Sequence, residues 1–413
     1  MTKKTDLPWA EIDSFVGNHT HAALLNHRSC PICGSLDYRT LLVFDDFQFF
    51  TDSAEEPKRA RIQEVQCQNC HGVYLNPCYS TIGFRYLFAE AGQSYGSTEG
   101  RPQEQIDWLF SRSLLDEGKA FLDAGCYEGK FLSVLPKGVR RLGVDIDAPA
   151  IARGQGRYGA DGVELIHGAF ETFQCPIAPD VISMFHVLEH LADPFEVLGH
   201  LRSISHDETR LVVEVPVLEH GRTNDINGFL LVQHMTHFSL QSLGQLMNRA
   251  GWEILERQQM SDYNGHRILA KPGEGSGEVS GNASDRMKVL EYLEHWYRNL
   301  TEVSRRIESW PRTSRAVIWG GGAHSEFIYQ VTPFFQQDPQ REYLVVDSDL
   351  LKQGKSWRGL SILPPESLKK VDWNDCGLTI SSYGSQESIA QAAAKMGVPH
   401  SVVKRLYDRV QAY

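Results

Sequence analysis

The sequence predicts an α/β protein: two doubly wound units, the second smaller than the first, behind a short four-cysteine segment. Three observations carry this reading. From residue 120, strand-like apolar runs alternate with stretches of helical spacing: FLDAG, KFLSVL, RLGVDID, PAIARGQGRYG, VELIHG, DVISMFHVLEH, PFEVLGHLRSI and RLVVEVP. Such alternation builds a parallel sheet with helices on its faces. A second strand, Gly turn and helix begin at RAVIWGGGAHSEFIYQV, with LVVDSD as the next strand. Four of the eight cysteines form two C-x2-C pairs, at 30/33 and 67/70.

Taken in order, the first 28 residues read as a leader and 29–80 as the cysteine segment. GFRYLFAEA and EQIDWLFSRSLL read as helices, and the alternating unit follows. HFSLQSLGQLMNRAGW is one more amphipathic helix, and EILERQQM and RILAKP are closing strands. KPGEGSGEVSGNASD at 271–285 has the Gly/Ser content of a linker. The helix after it carries apolar residues at 289, 290, 293, 296, 297 and 300, consistent with one buried stripe. The expected domains are 1–100, 101–275 and 311–413, with a linker and helix at 276–310.

At 413 residues the chain exceeds one ordinary core. A net charge of −11 and no Lys/Arg-rich run argue against a nucleic-acid partner. No apolar stretch has the length of a membrane span or the pattern of a signal peptide. A cytoplasmic location and no membrane partner are expected.

Cys30-Pro-Ile-Cys33 and Cys67-Gln-Asn-Cys70 stand 33 residues apart. Outside a secretory context this pattern reads as metal ligation rather than disulfides. Four thiolates make a closed tetrahedral cage for a structural Zn²⁺, holding a segment with few core residues of its own.

The turn after FLDAG is the second motif. Asp123, Gly125 and Gly129 form D-x-G-x-x-x-G, and Asp145 ends the next strand, 22 residues after Asp123. An acid at that strand tip suits a ribose diol. This geometry serves NAD and S-adenosylmethionine alike. Cys126, Tyr127 and Glu128 stand where a dinucleotide fingerprint would carry further glycines, which fits a ligand without phosphates.

LDAGCYEGKFL, GVDID, HGAFETF and ISMFHVLEHLADPFEVL together resemble the successive motifs of class I S-adenosylmethionine-dependent methyltransferases. The resemblance implies a Rossmann-like core over roughly 105–272. In it Asp123, Gly125 and the backbone of Cys126, Tyr127 and Gly129 face the methionine part of the donor. Asp145 takes the ribose, with Ile146, Ala169 and Phe170 near the adenine and Phe185 and His186 beside the sulfonium. The order of parts, with VVDSDLLKQGKSWRGLSILPPESL near the end, is similar to the three-domain C-methyltransferases of nucleotide-linked keto-deoxysugars. That family implies a zinc-binding N-terminal domain and a Rossmann-like C-terminal domain that helps bind the nucleotide sugar.

The resemblance departs at the base region. The family's Tyr-His-Glu-His-like segment reads here LLVQHMTHFSLQSL, so His234 is retained, Gln233 replaces the Glu and His237 replaces the Tyr. A neutral imidazole near pH 7 serves either C- or O-methylation as base. Without a carboxylate neighbour its pKa should fall. His234 is the expected base and His237 the second candidate; O-methylation of a sugar stays open beside C-methylation. Glu219, His220, Gln233, His266, Arg267, Gly321, His324 and Lys355 are candidate substrate contacts, with Gly320-Gly321-Gly322 as an anion-binding turn. Tyr74 and Tyr95 are weaker candidates, and Glu189-His190 reads as a helix start. Two other classes stay open: an NAD-dependent dehydrogenase, and a non-catalytic donor-binding assembly module. The oligomeric state stands at monomer or dimer.

Overall fold

The computed structural model describes residues 24–49, 58–87, 101–220, 232–259, 265–275, 279, 281, 283–335, 338, 340–350 and 352–408. Most of the leader, Tyr95, Asn264 and the side chain of His220 lie outside the described residues. The first strands are β1 (Leu25–Asn26), β2 (Tyr38–Phe49), β3 (Lys58–Cys67), β4 (Val73–Leu75) and β5 (Cys78–Tyr79). β2 and β3 form a long antiparallel pair with register shifts at Thr40/Leu42 and Phe44/Phe47. In an unbroken strand, residues three apart face opposite sides. The second shift turns Phe44, Phe47 and Phe49 into one core.

That core corrects the expectation of a segment with little interior. It is shared with the C-terminal part: Phe44 packs on Phe327 at 5.1 Å, and Trp296 and Trp357 join the same cluster. Arg358 fastens the contact. Its Nη1 lies 2.9 Å from Asp46 Oδ2 and its Nε donates to Glu326 Oε2 at 3.0 Å.

The central strands are β6 (Ala120–Ala124), β7 (Arg140–Asp145), β8 (Val163–His167), β9 (Val181–Phe185), β10 (Arg210–Pro216), β11 (Thr236–His237), β12 (Trp252–Gln259) and β13 (Gly265–Pro272). Seven of them form one sheet in the order β12-β13-β10-β9-β6-β7-β8. β13 runs antiparallel to both neighbours, and the rest are parallel. β6 and β9 are apolar because both sheet faces are covered. Phe121 enters one cluster while Leu122 and Ala124 enter the other. The chain winds outward from β6 to β8, then returns to β9 and winds the other way. The reversal leaves a crevice at the carboxyl ends of β6 and β9, where ligands of such sheets sit.

Aspartates and a serine start the covering helices. Asp147 caps Ala148–Tyr158, Asp193 caps Pro194–Ser203 and Ser239 caps Leu240–Arg249. Two local expectations are corrected. DVISMFHVLEH leaves the sheet at Phe185, His186 takes φ 57°, and Leu188–His190 forms one 3₁₀ turn. KFLSVL is helical only over Lys130–Ser133. The helix of HFSLQSL starts after its Ser239 cap, and before it Thr236 and His237 pair with Tyr74 and Val73 of β4. This pairing completes a four-stranded sheet, β11-β4-β3-β2.

The C-terminal strands are β14 (Arg315–Trp319), β15 (Glu342–Val346), β16 (Ser356–Trp357), β17 (Leu360–Leu363), β18 (Cys376–Ile380) and β19 (Val403–Arg405), in the order β16-β17-β15-β14-β18-β19. The helix Ala283–Ser309 buries Val289, Tyr292, Trp296, Leu300 and Val303, while Leu290 and Tyr297 of the expected stripe are exposed. Among the described residues no helix is long and apolar enough to cross a membrane.

Candidate functional site

The crevice starts from the turn after β6. Gly125 has φ 96°, and a Cβ there would stand 2.2 Å from Val187 Cγ2, so only glycine brings the turn this close to the β9 loop. Asp123 is buried, and the Ser183 hydroxyl donates to its Oδ1 at 2.7 Å. Burial raises its carboxyl to about 7, against the Ser183 hydrogen bond and with the nearby charge of Asp145. Asp145 accepts from Tyr127 N–H and Asp147 N–H, each at 2.9 Å. The tips of β6 and β7 are thereby joined through one carboxylate. The Cys126 side chain points into the core, so that residue offers the crevice its backbone. Phe185 packs edge-on to Phe131 at 5.3 Å, and Phe170 is buried in the core beside the crevice.

A histidine cluster stands at the β9 side. Met235 N–H donates to Glu189 O at 2.7 Å, and Leu75 N–H donates to Met235 O at 3.0 Å. The segment Gln233–His237 is thus threaded between the β9 loop and β4. Arg28 reinforces the seam, donating to Leu75 O at 3.3 Å and to Ala192 O at 2.5 Å. His190, His234 and His237 are brought together: the His190 and His234 rings are 4.9 Å apart, and those of His234 and His237 are 6.1 Å apart. Burial holds His234 well below the usual histidine range, and the neighbouring imidazoles push the same way.

The carboxylates of this cluster come from residues that sequence reasoning missed or placed elsewhere. Glu64, on β3, lies 2.9 Å from His237 Nε2, with both side chains buried. Glu189 lies 3.3 Å from His186 Nδ1 and 3.9 Å from His190 Nε2. His186 also reaches Glu214 at 3.3 Å through Nε2. Burial pushes the His186 imidazolium down, but the two carboxylates outweigh it and hold it at about 9. The HVLEH run carries a usable signal, since His186, Glu189 and His190 can all meet around one loop. Glu64 has no such local signal, being 173 positions from His237.

The remaining candidates already have partners or lie in a core. Arg267 is buried in an ion-pair network, its Nε donating to Glu214 Oε2 at 2.7 Å and its Nη2 to Glu104 Oε2 at 2.6 Å. His266 is buried beside it on β13. Glu219 accepts from Leu240 N–H at 3.0 Å and pairs with Lys288 Nζ at 3.0 Å, so it caps a helix. Gln233 is buried and its carbonyl faces His190. Tyr74 is fully buried in the core around the cysteines.

The C-terminal Gly turn repeats the β6 arrangement. Gly321 N–H donates to Asp347 Oδ2 at 2.8 Å and Asp349 N–H to Oδ1 at 2.9 Å, as Tyr127 and Asp147 do to Asp145. The expected anion turn therefore already holds a carboxylate. His324 is engaged by Ser381 Oγ at 3.1 Å and Tyr407 OH at 2.7 Å, and burial lowers its pKa to about 4. Lys355 lies in the loop before β16.

The four knuckle cysteines converge. Cys30 Sγ is 3.5 Å from Cys70 Sγ, and Cys33 Sγ is 3.5 Å from Cys67 Sγ. All four sulfurs lie within 4.8 Å of one another. A tetrahedral ion with Zn–S of about 2.3 Å needs S···S separations of about 3.8 Å, so the cage has the right size. Asn69 N–H points at Cys67 Sγ at 3.3 Å, stabilising a thiolate there.

Residues 98–257 match a family model described as a methyltransferase domain. No curated protein matches the chain. Solved structures similar to it include a protein of Pyrococcus horikoshii, 15% identical over 45% of this chain and 99% of the other, TM-score 0.38. Another is an S-adenosylmethionine-dependent methyltransferase of Clostridium acetobutylicum, 9% identical over 46% and 98%, TM-score 0.37. A third is the magnesium protoporphyrin IX methyltransferase of Synechocystis with bound S-adenosylhomocysteine, 17% identical over 47% and 95%, TM-score 0.36. The matched residues take in β6 to β10 and most of β12 of the seven-stranded sheet, together with the crevice at its reversal point. Residues 98–257 thus correspond to a methyltransferase domain. That match makes the chain a methyl-transferring enzyme.

Proposed function

We propose that the acceptor is a sugar, nucleotide-linked, and that the histidine cluster takes the proton the acceptor loses. Asp123, the turn from Gly125 to Gly129 and Asp145 hold the donor, and the β9 tip directs its sulfonium toward His234. Displacement at the methyl carbon is in line, so alignment of donor and acceptor supplies most of the rate. The observation that carries the assignment is the clustering of the His190, His234 and His237 rings beside the donor crevice. A structural Zn²⁺ in the four-cysteine cage holds the sheet that supplies β4 and Glu64.

The resemblance to keto-sugar enzymes favours C-methylation, with His234 removing the proton next to the ketone. O-methylation is favoured by the state of His234, which burial keeps neutral and weakly basic. Such a base suits a hydroxyl whose proton departs as the new bond forms. The test is His234→Ala assayed with nucleotide sugars for demethylated donor. Turnover should fall at least a hundredfold, with donor binding by calorimetry within about twofold of wild type. Near-normal turnover would remove His234 from the reaction, and failure of every nucleotide sugar as acceptor would end the sugar assignment.

A further inference from the structure

Glu189, His190 and His234 form a second group with the composition of a metal site, distinct from the cysteine cage. One donor atom from each lies within 4.8 Å of the others. Two imidazoles and one carboxylate on one side of an ion leave its other positions open to substrate or water. The group is drawn from two backbone segments, the 3₁₀ turn after β9 and the stretch leading into β11.

The His190 ring is oriented as a ligand would be. Its Nδ1 lies 3.0 Å from the Gln233 carbonyl, an acceptor only, so Nδ1 carries the proton and Nε2 presents a lone pair. A carbonyl that fixes the tautomer and aim of an imidazole is the usual outer support of a metal-bound histidine. Glu189 is 1% exposed, and neither of its oxygens accepts a well-formed hydrogen bond among the described residues. His186 Nδ1 at 3.3 Å compensates part of its charge from one side. A buried carboxylate this poorly satisfied is costly unless a cation completes it.

We propose that Glu189, His190 and His234 bind one divalent transition-metal ion at the edge of the donor crevice. Its open positions take two neighbouring oxygens of the acceptor, a vicinal diol or an α-hydroxyketone. An ion there lowers the pKa of a bound hydroxyl and fixes it in line with the donor methyl. The imidazole-rich set suits borderline ions over Mg²⁺ or Ca²⁺. The inference rests on methyl transfer at this crevice and changes one role within it. With the ion bound, His234 is a ligand, and His237, oriented by Glu64, is the imidazole left to take the proton.

The test uses the full chain as purified and Mn²⁺ as the probe. Mn²⁺ stands lowest in the divalent affinity order and will not displace zinc from four thiolates. Electron paramagnetic resonance should show one bound Mn²⁺ per chain. Glu189→Gln and His190→Gln should each weaken that binding at least tenfold, with cysteine-bound zinc and donor binding retained. No bound Mn²⁺ at millimolar concentration, or unchanged binding in both variants, overturns the site. If the variants do not fold, displacement of wild-type Mn²⁺ by a vicinal diol sugar from its open positions, read as a changed spectrum, decides in their place; an unchanged spectrum counts against the proposal. Mn²⁺ bound in a protein that methylates only non-carbohydrate acceptors upholds the site and ends the sugar assignment. Full turnover of a nucleotide sugar in protein shown free of metal at this site does the reverse.

Discussion

Glu64 Oε1 and His237 Nε2 lie 2.9 Å apart across 173 positions of sequence, both buried, one on β3 of the cysteine-bearing sheet and the other on β11. β4 stands between them, pairing Leu75 with Glu64 and Val73 with His237. The histidine cluster thus draws a carboxylate from the N-terminal part. The cysteine sheet is coupled to the histidine cluster through this contact, the β4–β11 pairing and the Leu75 N–H on Met235 O.

Glu64→Gln keeps the shape and removes the charge. Turnover should fall about tenfold or more while donor affinity changes less than twofold, and Glu64→Asp should recover part of the loss. The cost in folding should be about 1.5–3 kcal/mol, the range for a hydrogen bond to a charged group. Equal losses of donor binding and turnover, measured by calorimetry and methyl-transfer assay, would leave Glu64 a purely architectural residue.

The cysteine cage should hold one zinc per chain by elemental analysis. Cys33→Ser should lower zinc occupancy and the melting temperature together, because metal affinity at such a site is folding free energy. A fully folded, metal-free preparation with wild-type melting would refute the zinc assignment.

Asp123 gives a pH effect with a definite sign. Burial raises its carboxyl to about 7 in the fold, whereas the unfolded group ionises near 4. The unfolded chain therefore releases this proton first, and stability declines as pH rises from about 4 to 7. Asp123→Asn should stabilise the donor-free protein at pH 7.5 by up to about 4 kcal/mol and weaken donor binding at least tenfold. Chemical denaturation and calorimetry on one preparation read both effects. A destabilised variant would show that the charged form is favoured in the fold.

His324 acts in the opposite range. Burial lowers its pKa to about 4, so the unfolded chain binds a proton that the folded chain refuses. Stability should be lost as pH falls from about 6.5 toward 4, by as much as about 3 kcal/mol. His324→Gln should flatten that part of the stability-against-pH curve while methyl transfer at pH 7.5 is retained. An unchanged acid limb would sink this account.

Much of the architecture was legible because it is locally encoded. Apolar runs for strands covered on both faces, Asp-Pro and Ser capping signals and the Gly turn all announce themselves within a dozen residues. FLDAG, RLGVDID, VELIHG and RLVVEVP fall on β6, β7, β8 and β10. HVLEH was misread because a strand tip, a positive φ at His186 and a 3₁₀ turn leave little trace in periodicity. The candidate substrate contacts at Arg267 and Glu219 look available in a string of letters, but Glu104 with Glu214 occupies the first, and Leu240 with Lys288 the second.

By itself the sequence determined the two α/β units, the paired cysteine knuckles and the acids at the tips of β6 and β7, since each is a short-range pattern of residue type and spacing. Only the tertiary structure decided that Glu64 meets His237, that Glu189 and His190 join His234, and that the Phe44 hairpin shares its core with Phe327. Those meetings depend on which strand crosses beside which, and that is settled by long-range burial and pairing rather than by local propensity.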